Sequence, residues 1–360
     1  MTARLAPRPD LELVAGYHSA RVDAAVRLNV NESPYPPPAG FREALADELA
    51  SVELNRYPDR AARRLRSAIG ELHGVEMEQV LATKGSNEAL QALCLAYGGR
   101  GRVAAVFEPT YALHSHIARI TGTGVAVGER STDFSLDATE VRRVLEEARP
   151  ALTLLCSPNN PTGAADSPET VADVVAQAPG LVVVDEAYAQ FSPWSALPLV
   201  SRNAGVVVTR TYSKTWSLAA ARLGYLVAAP EVVADIEQVL LPYHLDALTQ
   251  AAGLVALRFA DEMEERVKLL VAERERLVAS LSAMPLTVWP SDANFILFRP
   301  LDEHGDPEEA GRALWRALVE RSVLVRDCSS WPRLAGCLRV TVGMPAENDA
   351  FLDALAEVVS

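Results

Sequence analysis

From about residue 60 to 240, short apolar runs rich in β-branched residues alternate with helical stretches. Val103-Phe107, Leu152-Cys156, Leu181-Val184 and Val206-Thr209 are too continuous in their apolar character for half-exposed strands, and they read as buried ones. Helix then strand, repeated, predicts an α/β fold with a large, mostly parallel sheet. After Pro242 the pattern changes. A charged helical stretch from Glu262 to about Ser282 interleaves acidic and basic residues along an exposed face, within a predicted connecting helix over about 246–282. Beyond it, the apolar runs Phe295-Phe298, Val323-Val325 and Leu338-Val342 surround a helix near Glu308-Arg321 and predict a smaller α+β unit. The first forty residues are irregular, and Pro34-Tyr35-Pro36-Pro37-Pro38 is too stiff for helix or central strand. The expected division is therefore a segment over 1–40 that packs on the small unit or a partner subunit, a large domain over 41–245 and a small domain over 246–360.

The chain has 360 residues, 49% of them apolar, enough for one large and one smaller core. A formal charge of -13 disfavours a nucleic-acid or anionic-membrane surface, so any bound anion must be met by a local basic pocket. No apolar run approaches the roughly 20 residues that span a bilayer, and the N-terminus lacks a secretory apolar core, so a cytoplasmic location is expected. Cys94, Cys156, Cys328 and Cys337 show no metal-ligand spacing and read as buried thiols. His114 and His116 lie two apart in a helical stretch, where they do not share a face, so no metal site is expected there.

Lysine is scarce. Only Lys84, Lys214 and Lys268 stand among 34 basic residues. A bias toward Arg accounts for most of this, but arginine cannot supply a nucleophilic amine, so a lysine needed for imine chemistry would persist.

Polar loops follow the predicted strands: Glu108-Pro109-Thr110-Tyr111, Ser157-Pro158-Asn159-Asn160, Asp185-Glu186-Ala187-Tyr188 and Thr211-Tyr212-Ser213-Lys214. Ligands of open α/β sheets bind beyond the carboxyl ends of the strands, so these loops are expected to converge on one cleft. Lys84-Gly85-Ser86-Asn87-Glu88 opens an amphipathic helix whose free N–H groups suit a phosphate, although an ordinary capped helix has the same signature. Gly98-Gly99-Arg100-Gly101 closes a helix and does not form a dinucleotide loop. Asp185 stands at the end of a buried strand, as a cap, a metal ligand or a partner for a heterocyclic nitrogen.

In order along the chain stand LNVNESPYPPP (Leu28-Pro38), NRYPD (Asn55-Asp59), GSNEAL, EPTY, SPNNPTG, VVVDEAYAQF, RTYSKTWSLAAARLGY and LRVTVG (Leu338-Gly343). The series resembles the fold-type-I pyridoxal-phosphate (PLP) aminotransferases, most closely the histidinol-phosphate aminotransferase family, over nearly the whole chain. The resemblance implies PLP as cofactor, held by Lys214 as a Schiff base, with Lys214 then acting as general base and acid. It implies Asp185 at the ring nitrogen, Asn159 and Tyr188 at the ring oxygen, and Tyr111 stacked on the ring. Gly85, Ser86, Asn87, Ser213 and Arg222 would cradle the cofactor phosphate, joined by Tyr57 from a neighbouring subunit of a homodimer. Arg339 would take the substrate carboxylate and Arg326 its phosphate, with Tyr17 and Asn31 lining that pocket. Without the family, Arg339 is an Arg in an alternating strand and would be placed on an exposed face. LAAAR before Arg222 and Asn87 in place of the more frequent Asp are mild departures.

The implied reaction is a ping-pong transamination between histidinol phosphate and 2-oxoglutarate. An aromatic amino-acid aminotransferase and a threonine-phosphate decarboxylase are the alternatives within the fold, and a non-catalytic PLP-binding module is the alternative from another class.

Overall fold

The computed structural model describes residues 22–301 and 305–359, and within them the chain forms two sheets. In chain order the strands are β1 (Val26–Leu28), β2 (Val80–Thr83), β3 (Val103–Glu108), β4 (Gly124–Glu129), β5 (Leu152–Cys156) and β6 (Leu181–Asp185). There follow β7 (Val206–Thr211), β8 (Gly224–Val227), β9 (Leu286–Val288), β10 (Phe295–Pro300), β11 (Val323–Asp327) and β12 (Leu338–Thr341). The larger sheet has the order β2-β8-β7-β6-β5-β3-β4, with β8 alone running against its neighbours. The smaller sheet, β1-β11-β12-β10-β9, is antiparallel except where β1 lies parallel to β11.

Strand alternation divides the apolar residues of the larger sheet between its two faces. Ala105, Phe107, Val182, Val184, Val206 and Val208 pack with the helices Arg63–His73, Ala138–Ala148 and Pro168–Gln177. Ala104, Val106, Leu152, Val183 and Val207 pack on the other face with Ser86–Tyr97 and Pro230–Glu237. Continuous apolar runs follow because both faces are covered. The sequence did not signal β2, β4 or β8: β2 and β8 are four residues long, and the edge strand β4 is largely exposed.

The connection expected as one helix over 246–282 is two helices, Ala247–Leu257 and Ala260–Ser282. The chain turns at Phe259, whose ring packs 6.0 Å from that of Phe41. Their surroundings differ. Val255, Ala256 and Met263 join the core of the larger sheet, whereas Leu270, Leu277 and Leu281 join that of the smaller one. The second helix therefore threads both cores, and Arg274 ties it to the carbonyls of Phe191 and Ala293.

A buried ion pair joins β7 to the residue that follows β6. Arg210 Nη2 lies 2.8 Å from Glu186 Oε2, and Glu186 also accepts from Ser195 Oγ and the Ala196 N–H. Replacing Arg210 by Met leaves that carboxylate buried without its cation. R210M should lower the unfolding free energy by about 3–5 kcal/mol, read from denaturant unfolding monitored by tryptophan fluorescence.

Candidate active site

Strands β2, β3, β5, β6 and β7 point the same way, so the loops after them meet at one edge of the sheet. Because β8 is reversed, its first residues arrive at that edge too, bringing Arg222 beside the loop that follows β7. There the structure opens a cleft of about 350 Å³ whose walls include Ser86, Tyr111, Asp185, Tyr188, Lys214 and Arg222. Four of the five loops were expected from the apolar runs, and the fifth follows the unsignalled β2.

At one end of the cleft the helix Ser86–Tyr97 begins. Gly85 takes φ 83°, a conformation open to glycine, and no side chain caps the helix. Its first N–H groups therefore face the cleft at the positive end of the helix dipole. Arg222 sits against this turn: a Cβ on Gly85 would lie 2.9 Å from its Nη2, and one on Gly224 would run into Ser86 N. Arg222 Nη1 donates to Ala219 O at 3.0 Å and to Ser213 Oγ at 3.3 Å. Helix terminus, hydroxyl and guanidinium together make an anion cradle. Lys84, next to this turn, is engaged elsewhere, with Asp246 and Thr249.

The floor holds Asp185, which is 1% exposed. Thr209 Oγ1 donates to one carboxylate oxygen at 3.1 Å, and His114 Nε2 faces the other at 3.1 Å. Helical periodicity alone gives His114 no partner, and the fold supplies one from 71 residues away. Among the described residues no group of His, Cys, Asp and Glu is arranged to hold a metal ion. Tyr111 meets the His114 ring edge-on at 5.4 Å, and its hydroxyl lies 3.2 Å from Asn87 Oδ1.

Lys214 reaches in from the loop after β7, its Nζ 3.4 Å from Val30 O and 5.8 Å from the centre of the Tyr188 ring. The side chain keeps some solvent contact along the cleft, yet protein surrounds it closely enough for burial to favour the uncharged amine. Arg339 adds repulsion, the attraction of Glu32 opposes it in part, and Arg222 adds a smaller repulsion, so its pKa falls from 10.5 to about 8. Cys156, paired with Asp185 in the sheet, also lines the cleft, but burial raises its thiol pKa and keeps it protonated.

The opposite wall comes from the smaller sheet. Arg339 on β12 is buried, contrary to the exposed face that strand alternation predicts, because that face of the small sheet closes the cleft. Its Nη1 lies 2.5 Å from Asn160 Oδ1, its Nη2 bonds Asn29 O at 3.3 Å, and the Phe295 ring stacks beneath it at 5.1 Å. Asn31 donates to Tyr188 OH at 3.1 Å and is clamped by two bonds to Thr341.

Asn159 does not face the cleft. Its side-chain amide is consumed inside the turn, donating to Pro109 O and Thr162 Oγ1 and accepting from Thr110 Oγ1, all at 2.8–2.9 Å. Asn160, its neighbour, lines the cleft instead and reaches Tyr188 OH at 3.5 Å. Arg326 is not among the cleft-lining residues either; its guanidinium packs 5.3 Å from the Trp331 ring, and it is Trp331 that faces the cavity. Tyr57 stands away from the cleft, 80% exposed and stacked on Tyr243 at 4.4 Å. Tyr17 lies outside the described residues.

A family model for class I and II aminotransferases matches residues 24–355. The histidinol-phosphate aminotransferase of Frankia casuarinae is 45% identical over 98% of this chain and 90% of its own length. That of Streptomyces avermitilis is also 45% identical, over 98% and 96%. Among solved structures, histidinol-phosphate aminotransferase from Sinorhizobium meliloti in complex with pyridoxal-5'-phosphate superposes with a TM-score of 0.87, at 22% identity, over 99% of this chain and 98% of that one. At 20% identity the L-threonine-O-3-phosphate decarboxylase of Porphyromonas gingivalis shares the same fold, with a TM-score of 0.78. By the family match across the whole cleft-forming chain and by relatives this similar end to end, the chain belongs to the class I and II aminotransferases, among the histidinol-phosphate aminotransferases.

Proposed function

We propose that this protein transfers an amino group between histidinol phosphate and 2-oxoglutarate with pyridoxal phosphate as cofactor. The observation that carries the reading is one cleft holding an anion cradle, a buried carboxylate and a lysine of lowered pKa, in a chain 45% identical to histidinol-phosphate aminotransferases.

The cleft fits the cofactor on its own chemistry. The turn at Gly85-Ser86-Asn87 with Arg222 and Ser213 suits a phosphate dianion, since a Cβ at Gly85 would crowd the Arg222 guanidinium. Asp185 suits a protonated ring nitrogen, and its hold by His114 and Thr209 keeps the carboxylate aimed. Tyr188 and Asn160 suit the ring oxygen, the role first expected of Asn159 passing to its neighbour. Tyr111 offers a ring face for stacking. When bound, pyridoxal phosphate supplies an electron sink that stabilises negative charge at the substrate Cα.

Lys214 Nζ then has two tasks, to hold the cofactor and to move the proton taken from the substrate Cα. Arg339, preset by Asn160 and the Asn29 carbonyl, orients the substrate carboxylate. The uncharged amine at Lys214 is the reactive form, and burial with two nearby guanidiniums makes it accessible near neutrality.

We also assign a cytoplasmic homodimer. Leu54, Tyr57 and Leu241 are each at least 78% exposed, and large apolar side chains left in water suit burial against a second copy, which would bring Tyr57 to the neighbouring cleft. Four unpaired buried thiols accord with a reducing compartment.

Histidinol phosphate assayed beside phenylalanine tests the substrate; an equal or greater kcat/KM with phenylalanine overturns it. K214A should lose turnover by about 10²- to 10⁴-fold together with the yellow absorbance of the bound cofactor. N160A should cut kcat with little change in thermal midpoint, whereas N159A should chiefly lower that midpoint, because its bonds hold the turn. For cofactor-free protein, the rate of pyridoxal phosphate capture should climb about tenfold per pH unit and level off near pH 8, the pKa of Lys214 being about 8. R339L removes a positive neighbour, raises that pKa and should move the plateau to higher pH, measured by stopped-flow absorbance.

A further inference from the structure

Arg326 and Arg339 are direct cross-strand partners on β11 and β12, so two guanidiniums leave the sheet side by side. Like charges in that position repel. One aromatic ring lies within reach of both. The Trp331 indole is 5.3 Å from the Arg326 guanidinium carbon and 6.0 Å from that of Arg339, and it lines the cleft where Arg326 does not.

The loop that carries Trp331 is held at both ends and in its middle. Cys328 N–H donates to Cys337 O, Trp331 N–H to Cys328 O, and Leu334 N–H to Trp331 O. Below it Phe134, Leu297, Cys328, Leu334 and Cys337 form a small apolar cluster against which Trp331 and Trp289 pack. The indole is thus a fixed wall, partly desolvated, and a π face in that setting attracts cations more strongly than one in open water.

Resting on the proposed two-anion substrate, we infer that Trp331 is a specificity-determining residue that holds Arg326 and Arg339 at one spacing, selecting substrates with a phosphate as well as a carboxylate. The shared ring offsets the repulsion between the two cations and fixes the more distant one relative to the nearer. An amino acid with a single anionic end needs Arg339 alone and gains nothing from that spacing. One that carries a second, doubly charged end also gains from the positive charge that Arg326 holds behind the indole wall.

The readout is the ratio of kcat/KM for histidinol phosphate to kcat/KM for phenylalanine in the holoenzyme. W331L keeps an apolar side chain but removes the π face, and it should lower the ratio at least about tenfold, about 1.4 kcal/mol. W331F, which restores an aromatic face, should recover most of it. R326L should lower the ratio as well, and W331L added to R326L should lower it little further, since both act through one contact. A ratio unchanged in W331L, or losses that simply multiply in the double variant, overturns the inference. If W331L fails to fold, the same decision rests on W331F: a ratio that falls as far as in R326L refutes the role of the ring face. The wild-type ratio tests the substrate reading separately, because a wild type that prefers phenylalanine defeats that reading before any variant is compared.

Discussion

A carboxylate with almost no solvent has to be answered by donors from the protein, and Asp185 is such a group at the end of the central strand of the sheet. Its two oxygens are met by Thr209, its partner on β7, and by His114, on the helix that follows the β3 loop. These demands fix more than one side chain. The register of β6 with β7 sets Thr209, and the packing of the helix Leu113–Ile120 on the sheet sets His114. Tyr111 in turn leans on the His114 ring. The loop after β7 then delivers Lys214 into the same cleft.

The net charge of -13 is not felt evenly. Where the cleft needs cations it has them at opposite ends, Arg222 at the helix terminus and Arg339 on the small sheet. Their joint repulsion acts on the amine of Lys214 between them. The same two groups that suit anionic ligands therefore also lower the pKa of the Lys214 amine. Each is held by hydrogen bonds within the chain, so little ordering remains to be done when an anion arrives.

The buried strands and the convergence of their loops were legible in the sequence because a run covered on both faces has an unmistakable composition. Lys214 and Asp185 were legible for the related reason that chemistry sits at strand ends. What escaped was whatever depends on the direction of a side chain in irregular backbone. Asn159 and Asn160 are adjacent and identical in type, and only the folded turn decides which amide is consumed internally. His114 could not be paired with Asp185, 71 residues away, from helical periodicity alone. Arg339 looked exposed because alternation specifies a face of a strand without saying what covers that face. The break near Phe259 was hidden because no proline or glycine stands between Leu254 and Ala283 to mark it.

The short strand β1 lies parallel to β11, with Val26 opposite Val323. During synthesis, the first described strand has no partner until most of the chain has left the ribosome, a very long loop to close. Asn31, three residues after β1, depends on Thr341 and Tyr188 for its position. The larger sheet can organise on the nascent chain as its consecutive strands emerge. The small-sheet wall of the cleft, with Arg339 and the Asn31 contacts, is the part that closes last, so a truncated product that already contains Lys214 and Asp185 has one side of the cleft without the other.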